Sequence, residues 1–240
     1  MALAEKPVVF CALDTTDLDR AVNLAGALSG LGIGMKIGKE FFTSHGPAGI
    51  QAIREAAPSA PIFLDLKFHD IPNTVAGAVR AACGLGVDIV NIHASGGEAM
   101  MRAALQAAAE TAETMGRDRP EVLAVTILTS LDDNDLAAIG YQDGASARAV
   151  KLAQLAESCG LDGVVCAATE ITAMRDACGA DFKLLTPGIR PAGAALSDQK
   201  RVMTPAEAVA AGSNYLVIGR PITGADNPRQ AAEAILAELA

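Results

Sequence analysis

Ile62-Phe63-Leu64-Asp65-Leu66-Lys67-Phe68-His69-Asp70 begins as an unbroken apolar run and ends in charge. A run of three apolar residues, resumed by Leu66 after Asp65, is too short for a helix. Continuous apolar character, without alternation, marks a strand covered on both faces, as in a parallel sheet. Seven further runs share this character: Val8–Leu13, Gly34–Ile37, Ile89–Ile92, Val122–Ile127, Gly163–Cys166, Phe182–Leu185 and Tyr215–Ile218. Alanine-rich stretches with helical spacing separate them. Leu18, Ala21, Val22, Ala25 and Leu28 fall on one face, as do Val79, Ala82 and Cys83, and less regularly Ala147, Val150, Leu152 and Leu155. Thr204-Pro205-Ala206-Glu207 carries a helix-start signal, a capping hydroxyl followed by proline and an acid in the first turn. Eight strand–helix units in 240 residues predict an α/β fold, a (β/α)8 TIM barrel forming a single domain over 1–240. A doubly wound open sheet is the alternative, weakened by the lack of GxGxxG after the first strand.

Composition narrows the function. Hydrophobic residues make up 51% and charged residues 20%, which suits a globular protein with a large core. A net charge of −9 argues against a nucleic-acid partner, which calls for a basic face. It leaves room for a phosphorylated small molecule held by local amides and one or two cations. Cys11, Cys83, Cys159, Cys166 and Cys178 are odd in number, contain no CxxC and lie in apolar stretches. They are expected to be buried thiols rather than disulfides or metal ligands. A strand starting at Val8 leaves no room for a signal peptide, and no apolar run approaches a membrane span. A cytoplasmic protein with no membrane partner is expected.

In such a barrel the chemistry lies at the carboxyl ends of the strands. Strand one ends at Asp14, strand two carries Lys36, strand three carries Asp65 and Lys67, and Asp70 follows in the turn. Alternation along a strand turns Asp65 and Lys67 to the same side, toward the barrel mouth. A buried ion-pair network would explain D-x-K alone. However, burying several charges costs several kcal/mol each, roughly, where apolar residues would be as stable, and all of these lie at strand ends. A second cluster follows strands seven and eight: Thr186-Pro187-Gly188-Ile189-Arg190-Pro191 and Gly219-Arg220. This is the usual phosphate position of the barrel, with Arg220 as cation. The stretch 187–202 reads as a candidate lid. His93, ending strand four, is expected to be a hydrogen-bonded structural residue, and alternation turns His69 away from Lys67.

Asp65-x-Lys67-x-x-Asp70-Ile71-x-Asn73-Thr74 resembles the signature of the orotidine 5′-phosphate decarboxylases. The resemblance runs through Leu13-Asp14, Lys36-Ile37-Gly38, Thr129-Ser130, the 186–191 stretch and Gly219-Arg220. Sugar-phosphate decarboxylases and hexulose-phosphate synthases of the superfamily share D-x-K-x-x-D but lack I-x-N-T. The resemblance implies that Lys67 protonates C6 of the pyrimidine as CO2 leaves, while Asp65 and Asp70 press on the substrate carboxylate and orient the lysines. It implies that Lys36 bridges an acid and the ribose, and that Asp14 binds the ribose. By the same resemblance Thr129 and Ser130 read the pyrimidine edge, and Gln199, Gly219, Arg220 and Arg190 hold the phosphate. It also implies a homodimer in which Asp70, Ile71 and Thr74 reach the partner's site, with orotidine 5′-monophosphate as substrate, uridine 5′-monophosphate (UMP) as product, and no cofactor or metal. A Mg2+-dependent sugar-phosphate decarboxylase or aldolase, enlisting an acid such as Glu40, is the alternative. A Schiff-base aldolase using Lys67 or Lys183 and a non-catalytic nucleotide-binding module are two further rivals.

Overall fold

In the computed structural model, which describes residues 8–191 and 203–239, the chain closes into an eight-stranded parallel barrel. The strands are β1 (Val8–Ala12), β2 (Gly34–Gly38), β3 (Ile62–Phe68), β4 (Ile89–His93), β5 (Glu121–Val125), β6 (Gly163–Val165), β7 (Lys183–Pro187) and β8 (Tyr215–Ile218). Each pairs with the next, and β1 pairs with β8 to complete the ring. Every predicted strand is present, with ends shifted by a residue or two. Strand β7, for example, starts one residue later and runs on through Thr186 and Pro187.

Period-two alternation divides the strand side chains between two cores. The inner one contains Phe10 and Ala12 of β1, Phe63 of β3, Ile89 of β4, Leu123 and Val125 of β5, Leu185 of β7, and Tyr215 and Val217 of β8. Phe10 packs edge-on against both Phe63 and Tyr215, with ring centroids 6.0 and 5.9 Å apart. Burial of each such ring contributes on the order of 2–3 kcal/mol. Gly34 makes room for them: a Cβ there would sit 2.4 Å from the Phe10 ring. The other strand faces form the outer core with the helices.

Those helices begin where the sequence signals them. Asp17 caps Leu18–Leu28 by accepting the Arg20 N–H at 3.0 Å. Thr204 Oγ1 accepts the Glu207 N–H at 3.2 Å, and the Glu207 carboxylate accepts the Thr204 N–H at 2.9 Å, a complete capping box. The face predicted from Ala147, Val150, Leu152 and Leu155 needs correction. Ala147 is exposed, and the buried stripe of Ala145–Ser158 is Ala145, Ala149, Leu152, Ala153 and Ala156. Alanine is abundant on every side of that helix, so hydrophobic periodicity marks its buried face weakly.

One strand departs from regular pairing. Phe63 and Leu64 of β3 pair with Ile89 and Val90, but the next pairing is Phe68 with Ile92. Residues 65–67 therefore span the distance that Asn91 covers alone, a bulge in the strand that carries the charged motif. Within it Lys67 adopts φ +53°, and among the described residues no other non-glycine residue has positive φ. This conformation costs an L-residue about 1–2 kcal/mol.

Candidate active site

At the carboxyl ends of the strands lies a cavity of about 500 Å3 whose lining includes Asp14, Lys36, Asp65, Lys67, Arg190 and Arg220. Four of these form a line of alternating sign. Lys36 Nζ lies 2.9 Å from Asp14 Oδ1 and 3.4 Å from Asp65 Oδ2, and Lys67 Nζ lies 2.5 Å from Asp65 Oδ1. Burial is greatest in the middle of the line and falls toward its ends: the Lys36 side chain is 7% exposed and Asp65 13%, against 24% for Lys67 and 52% for Asp14. Lys36 is enclosed between two carboxylates, which offsets the desolvation of its ammonium. Among the described residues Lys67 Nζ pairs with Asp65 alone, and it has a face toward the cavity.

Gly38, at the end of β2, is a steric condition for this line. A Cβ there would lie 2.6 Å from Asp14 Oδ1 and 2.8 Å from Lys36 Nζ, so only glycine leaves the pair in place.

Asn91, in the middle of β4, is fully buried and ties the motif together. Its Oδ1 accepts the backbone N–H of Lys67 at 2.7 Å, and its Nδ2 donates to Asp65 Oδ1 at 2.7 Å. Sequence reasoning passed over it, because a lone asparagine in Ile89-Val90-Asn91-Ile92 reads as part of a strand. The available signal was its cost: a fully buried amide in an apolar run needs dedicated partners.

Of the residues expected to hold a phosphate, Arg190, Gly219 and Arg220 line the same cavity. Gly188 adopts φ +78°, which glycine alone takes without strain, and turns the chain after β7. The Arg190 backbone N–H donates to the Met203 carbonyl at 3.0 Å, tying the two described ends of the 187–202 stretch together. The Arg190 side chain is 8% exposed, and its Nε has no hydrogen-bond acceptor among the described residues. A buried guanidinium nitrogen can make a charge-assisted hydrogen bond to an anion. Arg220 opens the short helix Arg220–Thr223 directly after Gly219, and both line the cavity. Gly219 itself has φ −107°, and a Cβ there would find ordinary contact with Ala12 at 3.6 Å. Its glycine is therefore not demanded by the backbone of this chain alone. Among the described residues, four cations and two carboxylates line the cavity, a local excess of positive charge in an acidic protein.

Other expected residues lie elsewhere. Asp70 is exposed, and its Oδ1 accepts the Ile71 N–H at 2.6 Å, so four rather than five charges converge within one chain. Ile71, 66% exposed, and Thr74 lie on the outside at the start of the helix Pro72–Gly84. Thr129 and Ser130 sit exposed on the loop after β5 and do not line the cavity. Gln199 and most of the candidate lid fall outside the described residues. Lys183, the second Schiff-base candidate, opens β7 at the opposite end of the barrel. Glu40 is exposed on the helix Lys39–Ala56. Among the described residues no three or more His, Cys, Asp or Glu side chains gather as a metal site, and no helix is long and apolar enough to cross a membrane.

His93 differs from expectation in how it is held. Its ring stacks at a tilt on that of His69, 5.2 Å between centroids, and among the described residues its imidazole has no hydrogen-bond partner. Burial lowers its pKa to about 4, helped by His69, Lys39 and Lys67, so the imidazole beside the site is neutral near pH 7. The five cysteines are free and buried, as expected. Burial, reinforced by Asp14, pushes Cys11 up to about 12, which keeps it a thiol in the outer core.

The model of the orotidine 5′-phosphate decarboxylase / HUMPS family matches residues 7–235. An orotidine 5′-phosphate decarboxylase of Sodalis glossinidius is 51% identical over 236 residues, 98% of this chain and 91% of that protein. Another, of Moorella thermoacetica, is 49% identical over 235 residues, covering 98% of this chain and 92% of that protein. The crystal structure of orotidine 5′-phosphate decarboxylase from Lactobacillus acidophilus is similar with a TM-score of 0.86 at 34% identity, covering 98% of this chain and 99% of that one. With likeness in sequence and barrel running almost from end to end, the chain belongs to the orotidine 5′-phosphate decarboxylase / HUMPS family.

Proposed function

We propose that this chain decarboxylates orotidine 5′-monophosphate to UMP, the last step of de novo pyrimidine nucleotide synthesis, with Lys67 as the acid and without metal or cofactor. The observation that carries the reading is the line Asp14–Lys36–Asp65–Lys67 along one cavity wall, with Arg190 and Arg220 on the same cavity. Loss of CO2 from C6 of the pyrimidine leaves an electron pair that no neighbouring carbonyl can delocalise. A fixed ammonium beside that carbon stabilises the developing charge without solvent reorganisation, and then supplies the proton. Lys67 fits that task because Asp65 orients its Nζ while one side of it remains open to the cavity. Asp65, pressed toward the leaving carboxylate, disfavours the bound ground state relative to the charge-separated transition state.

The rest of the nucleotide anchors the reaction. Arg190, Arg220 and Gly219, joined by Gln199, take the phosphate, and Asp14 and Lys36 take the ribose hydroxyls. Phosphate binding energy, gained far from C6, then holds the strained complex together. Thr129 and Ser130 would read the pyrimidine edge once their loop meets the ligand. Asp70, Ile71 and Thr74 are assigned to the site of a second copy in a cytoplasmic homodimer; the exposure of Asp70 and of the apolar Ile71, neither of which lines this chain's own cavity, supports that assignment.

The test is to mix purified protein with orotidine 5′-monophosphate in excess EDTA and follow loss of the orotate absorbance. Turnover is expected. An inert wild type, or one that works only with added divalent metal, discards the reading. The shared site is tested by mixing an inactive Asp70→Ala chain with an inactive Lys67→Ala chain. About a quarter of the wild-type rate per total chain, from the one intact site in each of the mixed dimers that random pairing of subunits makes, supports it, and no recovery after exchange removes it.

A further inference from the structure

We propose that Asn91 is a positioning residue for the reaction, one amide that fixes both the root and the tip of Lys67; the inference rests on the decarboxylase reading above. The root is held because Asn91 Oδ1 accepts the Lys67 backbone N–H at 2.7 Å. The tip is held because Asn91 Nδ2 donates at 2.7 Å to Asp65 Oδ1, the same oxygen that binds Lys67 Nζ at 2.5 Å. The path from the Lys67 nitrogen through its side chain to Asp65 and back through Asn91 is therefore a closed ring of hydrogen bonds.

The chemistry of the partners fixes the orientation of the amide. A backbone N–H can only donate, so it faces the carbonyl oxygen of Asn91; a carboxylate can only accept, so it faces the NH2. No other side chain of this size offers both functions. Leucine offers neither, and aspartate would set a second carboxylate against Asp65.

The bulge explains why such a clamp is needed. Three residues, 65–67, face Asn91 alone, so the strand ladder does not hold the Lys67 N–H, and Lys67 sits at φ +53°. A backbone conformation of this cost persists only where its surroundings over-determine it. Asn91 lies behind the motif, fully buried, and is absent from the cavity lining. It is placed to set the aim of Lys67 without touching the nucleotide, and misplacement of a reacting group by about 1 Å can cost 10²-fold in rate.

The experiment measures kcat and KM with orotidine 5′-monophosphate, the Kd of UMP, and thermal unfolding, for wild type, Asn91→Ala and Asn91→Asp. For Asn91→Ala, kcat is expected to fall about 10²-fold, with KM and the UMP Kd within about threefold of wild type. For the isosteric Asn91→Asp, kcat is expected to be depressed near pH 8 and to recover relative to wild type as pH is lowered. The introduced carboxyl then gains a proton and can again both accept and donate. A folded Asn91→Ala chain with kcat within threefold of wild type overturns the proposal. So does a loss shared by KM and UMP affinity, or an Asn91→Asp pH profile parallel to that of wild type. If Asn91→Ala does not fold, the profile of Asn91→Asp decides alone. An inert wild type would instead remove the decarboxylase reading, so the two failures are distinguishable.

Discussion

At the amino-terminal end of the barrel, Arg119 meets Asp162 through two parallel hydrogen bonds of 2.6 and 2.8 Å, and Tyr215 donates to Glu121 at 2.9 Å. At the carboxyl-terminal end, Asp14, Lys36, Asp65 and Lys67 alternate along a cavity wall beside two arginines. Charged groups stand at both ends, but the Arg119–Asp162 pair is closed on itself whereas Lys67 keeps a side toward its cavity. Asp162 uses its second oxygen again for the Val122 N–H, at 2.7 Å, so the Arg119–Asp162 pair is bound into the strand starts. Burial raises the pKa of Glu121, against the lowering effect of the Tyr215 hydrogen bond, and burial together with Glu121 raises that of Tyr215. The amino-terminal end also has the larger depression, about 850 Å3, bordered by Asp88, Arg117 and Glu121. Volume therefore does not identify the site. A cation with a free side facing a cavity, on a strained backbone, does.

The comparison breaks most visibly at Lys67. Lys67→Ala should lower kcat about 10⁴-fold, the upper range for loss of a general acid, while UMP binding, followed by calorimetry, is retained and the fold is kept. A variant with kcat within tenfold of wild type would place the acid elsewhere. The opposite outcome is expected for Asp162→Ala. Removing one partner of a partly buried bidentate pair, and the acceptor of a backbone N–H, should cost about 2 kcal/mol. That corresponds to a fall of about 4–8 °C in Tm for a domain of this size. Its kcat at 25 °C should stay within about twofold of wild type, because the pair lies at the end remote from the cavity. A large loss of kcat with an unchanged Tm would collapse the distinction between the ends.

The smallest effect sharpens the contrast. Glu121 has a folded pKa above its usual 4.5, raised chiefly by burial. A group with a raised folded pKa contributes its stability in full below the unfolded pKa and loses it as pH rises through the folded value. Glu121→Gln keeps an acceptor for Tyr215 and cannot ionise. Denaturant melts across that window should show the wild type losing stability relative to Glu121→Gln as pH rises, by a fraction of about 1 kcal/mol. Parallel curves would mean that Glu121 is ionised in the fold with little penalty.

Much of the active end was legible because its rules are local. The strand that carries Asp65 and Lys67, the acid closing β1, and the glycine-containing turn before Arg190 are readable from apolar runs and from what ends them. The Thr204 capping box is equally explicit in Thr204-Pro205-Ala206-Glu207. Three things escaped. Asn91 belongs to another strand than the residues it clamps, and only the barrel register brings it opposite 65–67. Simple alternation placed Asp65 and Lys67 on one side but gave no sign of the bulge or of the left-handed Lys67, since a bulge is set by the pairing of two strands. The Glu121–Tyr215 bond joins residues 94 apart in sequence, so no local pattern announces it.

The sequence by itself determined the eight-fold alternation of strand and helix, the closed parallel sheet that follows from it, and the residue types gathered at the strand ends. These depend on periodicity and on the order of residues along the chain. The tertiary structure alone decided which charges meet. It put Asp70 outside the line, left Lys67 with an open side, made Gly38 a steric condition for Asp14 and Lys36, and set Asn91 behind the motif. Such choices depend on how strands shift against one another, where an offset of one or two residues changes which side chains can touch.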